Sequence, residues 1–313
     1  MINWGINALN HGHSIAVFKD NKLIDNYIGH EDQISTLSSK LALSHGLPDR
    51  IYWYENPWLK KVRQLYAGQY STAFDFSVLP KKYMKQFNCD TITYTSHHAS
   101  HAAAGYYTSS FNHCAVVVLD AIGEFECATI WEGNHGELKK VWSRSYPHSL
   151  GLFYSAFTKL LGFTPIKEEY LLQDMADQGD QDRYYDTVLT YMNNTVKAHK
   201  NMHRGIQDWP HSINSINDQY DIAAAVQRVF RDQIHFVMKK AIELTGADSL
   251  VYMGGCAMNW QANKLEVEPK FKHIWSLPNP GDPSSSIGAV LYHTKQRTLN
   301  FNWNPVKHIA IKV

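Results

Sequence analysis

Residues 115–142 read AVVVLDAIGEFECATIWEGNHGELKKVW, and their pattern decides the fold. Ala115 to Leu119 is a continuous apolar strand, Asp120-Ala121-Ile122-Gly123 a turn, and Cys127 to Trp131 a second strand. Gly133-Asn134-His135-Gly136 turns the chain again, and Leu138 to Trp142 follows. The N-terminus has the same grammar: Ile2 to Ala8, Ser14 to Phe18, a turn at Lys19-Asp20-Asn21, and Lys22 to Tyr27. Two such meanders in one chain imply a duplicated α/β unit with a cleft between lobes at residues 1–114 and 115–313.

Helices separate and follow the meanders. Ser96 is placed to cap an Ala-rich helix from His97 to about Tyr107, and Ser149 another that ends at Gly162. The longest helix is expected from about Asp221 to Thr245, closed by Gly246. Val251 to Met253 is a short strand that runs through Gly254-Gly255 into a helix carrying Asn259 and Asn263, and a last helix starts near Ser285 or Ser286. The polar stretch from Asn193 to Asn217 reads as a surface excursion.

The chain has 313 residues, 44% of them hydrophobic, enough for a sizeable core. Its 30 Lys plus Arg against 29 Asp plus Glu leave no global field, which argues against non-specific polyanion binding and leaves room for a local basic groove. Seventeen histidines make a metal or proton-transfer site worth seeking. The four scattered cysteines form no C-x-x-C pair, and the start MINWGINALN has neither a basic nor an apolar leader region, so the expectation is a reduced cytoplasmic protein with no membrane segment.

His97 and His101 stand four apart, so their imidazoles share one helix face at a reach suited to chelating one ion. Asp120 ends an apolar strand and Asp282 precedes a helix, positions that supply carboxylates to a cleft. A mixed nitrogen and oxygen set suits Fe(II), Mn or Zn, and the sequence does not discriminate among these. Gly254-Gly255, between strand and helix, suits close approach of a phosphate, with Asn259 and Asn263 beside it. His11, in the turn Asn10-His11-Gly12-His13-Ser14, is a candidate general base. Walker A, G-x-G-x-x-G, G-x-S-x-G and H-E-x-x-H are all absent, which removes P-loop, Rossmann, serine-hydrolase and zincin chemistry.

Taken in order, the segments HGHSIAV (11–17), HHASHAA (97–103), LDAIGEFE (119–126), SLGLFYSAFTKLLGF (149–163), GGCAMNWQAN (254–263) and PNPGDPSSSIGA (278–289) resemble the O-carbamoyltransferase family. That family includes nodulation protein U and the antibiotic carbamoyltransferases of cephamycin and tobramycin synthesis. The resemblance implies duplicated ribonuclease-H-like lobes of the actin, sugar-kinase and heat-shock ATPase superfamily. It makes His97, His101, Asp120 and Asp282 the metal ligands and His11 the residue beside the transferred group. It also places Gly123, Gln227, Gly254, Gly255, Asn259 and Asn263 around a nucleotide.

The implied chemistry is attack of an acceptor hydroxyl on carbamoyl phosphate or carbamoyl-adenylate, the latter made with ATP. Relative to the family, the chain stops after the transfer domain, so a separate donor-activating protein is an expected partner. The family's E-x-K-V-M-G-L-A pattern stands here as EYLLQDMA at 169–176, without its Lys and Gly, and its basic segment is replaced by residues 33–39, leaving Lys40 as the equivalent cation.

Between Tyr52 and Tyr94, Trp53, Trp58, Tyr66, Tyr70 and Tyr83 interleave with Lys60, Lys61, Arg63, Lys81, Lys82 and Lys85, a pattern suited to stacking bases and touching phosphates. On that pattern the acceptor is a hydroxymethyl pyrimidine in DNA. The alternatives are a small sugar or natural product as acceptor, a non-catalytic metal- and nucleotide-binding subunit, and a tRNA threonylcarbamoyl transferase, which the GGCAMN and LDAIGEFE segments fit less well.

Overall fold

The two meanders become the antiparallel halves of two five-stranded sheets. The computed structural model describes residues 1–9, 12–29, 34–76, 80, 81, 85, 87–193 and 202–299. The first lobe contains β1 (Ile2–Asn7), β2 (His13–Lys19), β3 (Lys22–Gly29), α1 (Ile34–His45), β4 (Arg50–Trp53), α2 (Pro57–Tyr66), α3 (Tyr70–Ala73), β5 (Ile92–Tyr94) and α4 (His97–Thr108). There follow β6 (His113–Leu119), β7 (Glu126–Asn134), β8 (Glu137–Ser145), α5 (Leu150–Leu160), α6 (Glu169–Ala176) and α7 (Tyr185–Asn193). The last elements are α8 (Ile216–Thr245), β9 (Ser249–Met253), α9 (Trp260–Ala262), β10 (His273–Trp275) and α10 (Ser285–Thr294).

The strand orders are β3-β2-β1-β4-β5 and β8-β7-β6-β9-β10, the same path twice. In each sheet the meander is antiparallel and the other two strands join in parallel. β6 shows why its sequence is apolar throughout. Ala115, Val117 and Leu119 face one core and Cys114, Val116 and Val118 the other, so both faces of the strand are covered.

α4 and α10 lie between the sheets. Gly105 of α4 sits against Val251 and Met253 of β9, and the Ser286 carbonyl of α10 backs onto Gly5 of β1. The helices meet where Gly288 packs on the carbonyl of Ser100, and a Cβ at 288 would overlap that oxygen. Small residues thus bring backbones into contact, and every residue of α4 is buried. The far face of the second sheet is covered by α5 and α8 through Phe153, Phe157, Val226 and Phe230.

Several local expectations change. α8 starts at Ile216 rather than Asp221, because Ser215 and Asp218 form a reciprocal capping box; it ends, as expected, at Gly246, whose φ is 64°. The helix expected through Asn259 and Asn263 is broken into a 3-10 turn (Gly255–Met258), the short α9 and a π-turn (Asn263–Val267). In the stretch 193–217, residues 194–201 lie outside the described ones. Trp209 from that stretch packs inward, its ring 5.8 Å from Phe157 and 6.0 Å from Tyr191.

Candidate metal centre and the interlobe pocket

The site begins with the N-terminus of α4. Its first N–H groups have no partner inside the helix, and the Ser96 side chain makes no capping bond. Glu124 does this instead: its carboxylate accepts from the amide of His97 at 3.2 Å and from that of Asn56 at 2.6 Å. A carboxylate there also suits the positive end of the helix dipole. One buried acid therefore fixes the backbone of His97 and the start of α2 together.

Helical spacing then sets His101 behind His97, with Nε2 atoms 3.1 Å apart. Asp120 ends β6 and places Oδ2 2.8 Å from Nε2 of His97 and 3.5 Å from that of His101. Its Oδ1 accepts from the amides of Ala121 (2.8 Å) and Gly255 (3.3 Å). Asp282 brings Oδ1 to 3.3 Å from His97 and 3.4 Å from His101. All four donor atoms lie within 4.8 Å of one another.

Burial disfavours charge on each of these groups, and their mutual contacts outweigh it. The carboxylates of Asp282 and Asp120 raise His97 well above the ordinary histidine pKa, and their hydrogen bonds raise His101. Hydrogen bonds from His101 and His97 hold Asp120 well below the carboxylate range, and the charge of His97 with a hydrogen bond from His101 lowers Asp282. Without a cation, the only positive charge set against the two carboxylates in this cluster is that of the two imidazoles, which are themselves in contact.

A divalent ion fits this donor set on two counts. Two carboxylates and two neutral imidazoles balance its charge. The nitrogen and oxygen separations of 2.8 to 3.5 Å also match the edges, about 3.0–3.4 Å, of a polyhedron with metal–ligand bonds of about 2.1 Å.

The other sequence-predicted residues are placed as follows. Gly254, at φ 92°, leaves no room for a Cβ against the backbone of Leu119, and its amide donates to the carbonyl of Pro280 at 2.9 Å. With the Gly255 amide on Asp120, the glycine pair ties the Asp120 strand end to the Asp282 turn. Gly123 faces His97, and a Cβ there would lie 2.5 Å from the Cβ of His97. Gln227 and Asn259 exchange amide hydrogen bonds at 2.9 and 3.0 Å, and Tyr154 donates to Gln227 at 2.8 Å. Asn263 donates to the carbonyl of Ala257 at 2.7 Å.

His11 lies outside the described residues. Its neighbour Gly12 packs on Pro283, and Asn7 donates to the carbonyls of both Gly12 and Asp282, so Gly12 itself is anchored beside the Asp282 turn. Lys40 is exposed on α1.

Two cavities bear on the sequence-predicted residues, and the first of them reaches the cluster. One of about 350 Å³ spans the lobes, with Asp120 and Asp282 in its wall together with Lys60, Arg63, Glu124 and Lys159. Another of about 550 Å³ lies against α8 and α9, lined by Gln227, Arg228, Arg231, Trp260, Gln261 and Lys264. Of the aromatic and basic stretch, Trp53 is core, and Lys61 is buried with its ammonium on the carbonyls of Thr72 and Asp75. Trp58, Tyr66 and Tyr70 are exposed, while Tyr83 and Lys82 lie outside the described residues. Glu124 had no assigned role in the sequence reading, and Arg63 stood there only among the cations of the aromatic and basic stretch. The one hint was an acid four residues beyond Asp120 in an otherwise apolar turn.

Twinned five-stranded sheets of one strand order, with a His/Asp cluster in the cleft between them, define a duplicated ribonuclease-H-like protein of the actin and sugar-kinase architecture. Residues 14–291 match the model of the carbamoyltransferase N-terminus, and the chain belongs to that family. It is 32% identical over 243 residues to an uncharacterized protein of Synechocystis sp., covering 69% of this chain and 39% of the relative. It is 25% identical over 224 residues to nodulation protein NolNO of Sinorhizobium fredii, covering 68% of this chain and 33% of the relative. Among solved structures, full-length HypF in its phosphate- and nucleotide-bound form superposes with a TM-score of 0.51 at 12% identity, over 94% of this chain and 55% of HypF. The chain spans only 39% and 33% of the length of these two curated relatives. Among the described residues, no helix is long and apolar enough to cross a membrane.

Proposed function

We propose that the chain transfers a carbamoyl group to an acceptor hydroxyl, with His97, His101, Asp120 and Asp282 holding a divalent metal, Fe(II) first among the candidates. The observation that carries this reading is the convergence of four donors, three buried and Asp282 half-buried, within 4.8 Å beside an interlobe cavity, in a chain of the carbamoyltransferase family. When bound, the metal supplies Lewis acidity to an oxygen of the carbamoyl donor. His11 takes the proton of the acceptor hydroxyl as its oxygen bonds to the carbamoyl carbon. The bond from that carbon to the phosphate oxygen breaks, and phosphate or AMP leaves with the electron pair. Support for His11 comes from the anchoring of Gly12 on Pro283. Glu124 positions His97, and the Gly255 amide positions Asp120.

The donor is carbamoyl phosphate or carbamoyl-adenylate. For the nucleotide, the cavity between α8 and α9 offers the cation Lys264 and the indole of Trp260, beside Arg228 and Arg231, which pair with Asp182 and Glu266. For the acceptor we favour a hydroxymethyl pyrimidine in DNA. Trp58, Tyr66, Tyr70, Phe74 and Phe76 are each at least half exposed along α2 and α3, next to the pocket wall formed by Lys60 and Arg63, an arrangement suited to stacking bases. The test is incubation of the metal-loaded chain with carbamoyl phosphate, with and without ATP, and hydroxymethylated oligonucleotide or aminoglycoside. Mass spectrometry is expected to find the carbamoyl group on the oligonucleotide. Its appearance on the aminoglycoside alone refutes the DNA acceptor, and on neither refutes the transfer.

A further inference from the structure

The interlobe pocket holds a buried charge that the transfer scheme does not use. Arg63 is 6% exposed, and its Nε donates to the carbonyl of Glu124 at 3.2 Å and its Nη1 to Oε1 of Gln69 at 2.7 Å. Both acceptors are neutral. Among the described residues Nη2 makes no hydrogen bond and no carboxylate forms an ion pair with the guanidinium.

The acids lining the pocket are otherwise engaged. Glu55 pairs with Lys60 at 2.7 Å, the carboxylate of Glu124 is turned to the amides of Asn56 and His97, and Asp120 and Asp282 face the two histidines. A nearly buried guanidinium with only neutral partners is a costly arrangement unless a counter-ion joins it, and burial accordingly pushes its pKa down. Across the pocket, Lys159 is exposed and among the described residues donates only to the carbonyl of Arg204, at 3.4 Å. Cancelling Lys60 against Glu55 leaves Arg63 and Lys159, one from each lobe, as the cations of this wall without an acidic partner among the described residues, beside the carboxylate of Glu124, which is held by backbone amides.

We infer that Arg63 is the anion grip of the interlobe pocket: it binds a phosphate group carried by one of the two substrates, and Lys159 closes on the same group from the second lobe. The inference rests on this pocket being the site of transfer. The planar fork of a guanidinium, with Nη2 left over by the protein, matches phosphate oxygens in a way an ammonium does not. The phosphate arrives either on the donor, as carbamoyl phosphate, or on the acceptor, as a hydroxymethyl nucleotide. In both cases the grip fixes the distance between the phosphate and the His/Asp cluster that shares its pocket.

The test is calorimetric titration of the metal-loaded full chain with carbamoyl phosphate, with hydroxymethyl deoxycytidine and with its monophosphate. Arg63→Met is expected to weaken phosphate-bearing ligands about tenfold to a hundredfold and to leave the neutral nucleoside unchanged, with part of the loss restored in Arg63→Lys. Loss confined to carbamoyl phosphate assigns the grip to the donor, and loss confined to the monophosphate assigns it to the acceptor. Unchanged affinity for both in a folded Arg63→Met protein overturns the inference. Should that variant not fold, Lys159→Gln, at an exposed position, is expected to weaken the same ligands severalfold, and no change there overturns it. Binding is read without turnover, so the two proposals separate. Arg63-dependent phosphate binding with no carbamoyl product removes the transfer and keeps the grip. Transfer at the wild-type rate by Arg63→Met does the reverse.

Discussion

Gly123→Ala separates two roles for one residue. The resemblance of its segment places Gly123 beside a nucleotide, whereas the structure places its open side against His97. A Cβ added there would lie 2.5 Å from the Cβ, 2.6 Å from Cδ2 and 2.7 Å from Cγ of His97. Carbon atoms prefer about 3.5–4.0 Å, so the ring has to retreat by about 1 Å. A metal ligand tolerates about 0.2 Å. The backbone of His97 cannot follow freely, because Glu124 holds its amide and every residue of α4 is buried. The variant is therefore expected to lose about tenfold to a hundredfold in metal affinity, with an overpacking cost of about 1–3 kcal/mol. The assay is competition with a chelator of known affinity, followed by denaturant unfolding of the metal-free protein and by nucleotide titration. Unchanged metal affinity with weakened nucleotide binding would refute the reasoning and return Gly123 to the nucleotide.

His101→Ala removes one of the four donors and is expected to abolish tight metal binding and turnover; unchanged metal content by elemental analysis contradicts the assignment. Gly288→Ala forces a methyl into the Ser100 carbonyl between α10 and α4 and should cost about 1–3 kcal/mol or more, read as a lowered denaturation midpoint, since both helices are pinned between sheets. Burial and, next, the charge of Arg63 hold His203 down to about 4, so the unfolded chain binds the extra proton below its ordinary value of 6.5. The stability His203 confers is full above about pH 6.5 and lost as pH falls through about 4, an effect of about 2 kcal/mol after allowance for its partial exposure. His203→Asn should flatten that part of the stability profile, and an unaltered slope would show that another group governs it.

Much of the architecture was legible because it follows from local pattern. The uninterrupted apolar run of β6 announces a strand covered on both faces, and its repetition of the N-terminal meander announces the second lobe. Ser149 caps α5 and Gly246 closes α8 as their residue types require. The start of α8 was missed although Ser215 and Asp218 stood in capping-box spacing, because the apolar periodicity begins only at Ile222. The break after Gly255 was not legible. Asn259 leaves the helix to accept from Ala262 and to pair with Gln227, a choice made by a partner 32 residues away.

The site divides the same way. Two histidines four apart on one helix are a property of the sequence, since helical geometry alone sets them on one face. That Asp120 and Asp282 reach the same point depends on the Gly254 amide joining the Pro280 turn and on the packing of α10 against α4 and β1. Glu124 as the cap of α4, and Arg63 as a buried cation with no acidic partner among the described residues, belong wholly to the tertiary structure. Hydrogen bonding and charge compensation between distant segments are decided only once folding has set their distances and removed the water between them.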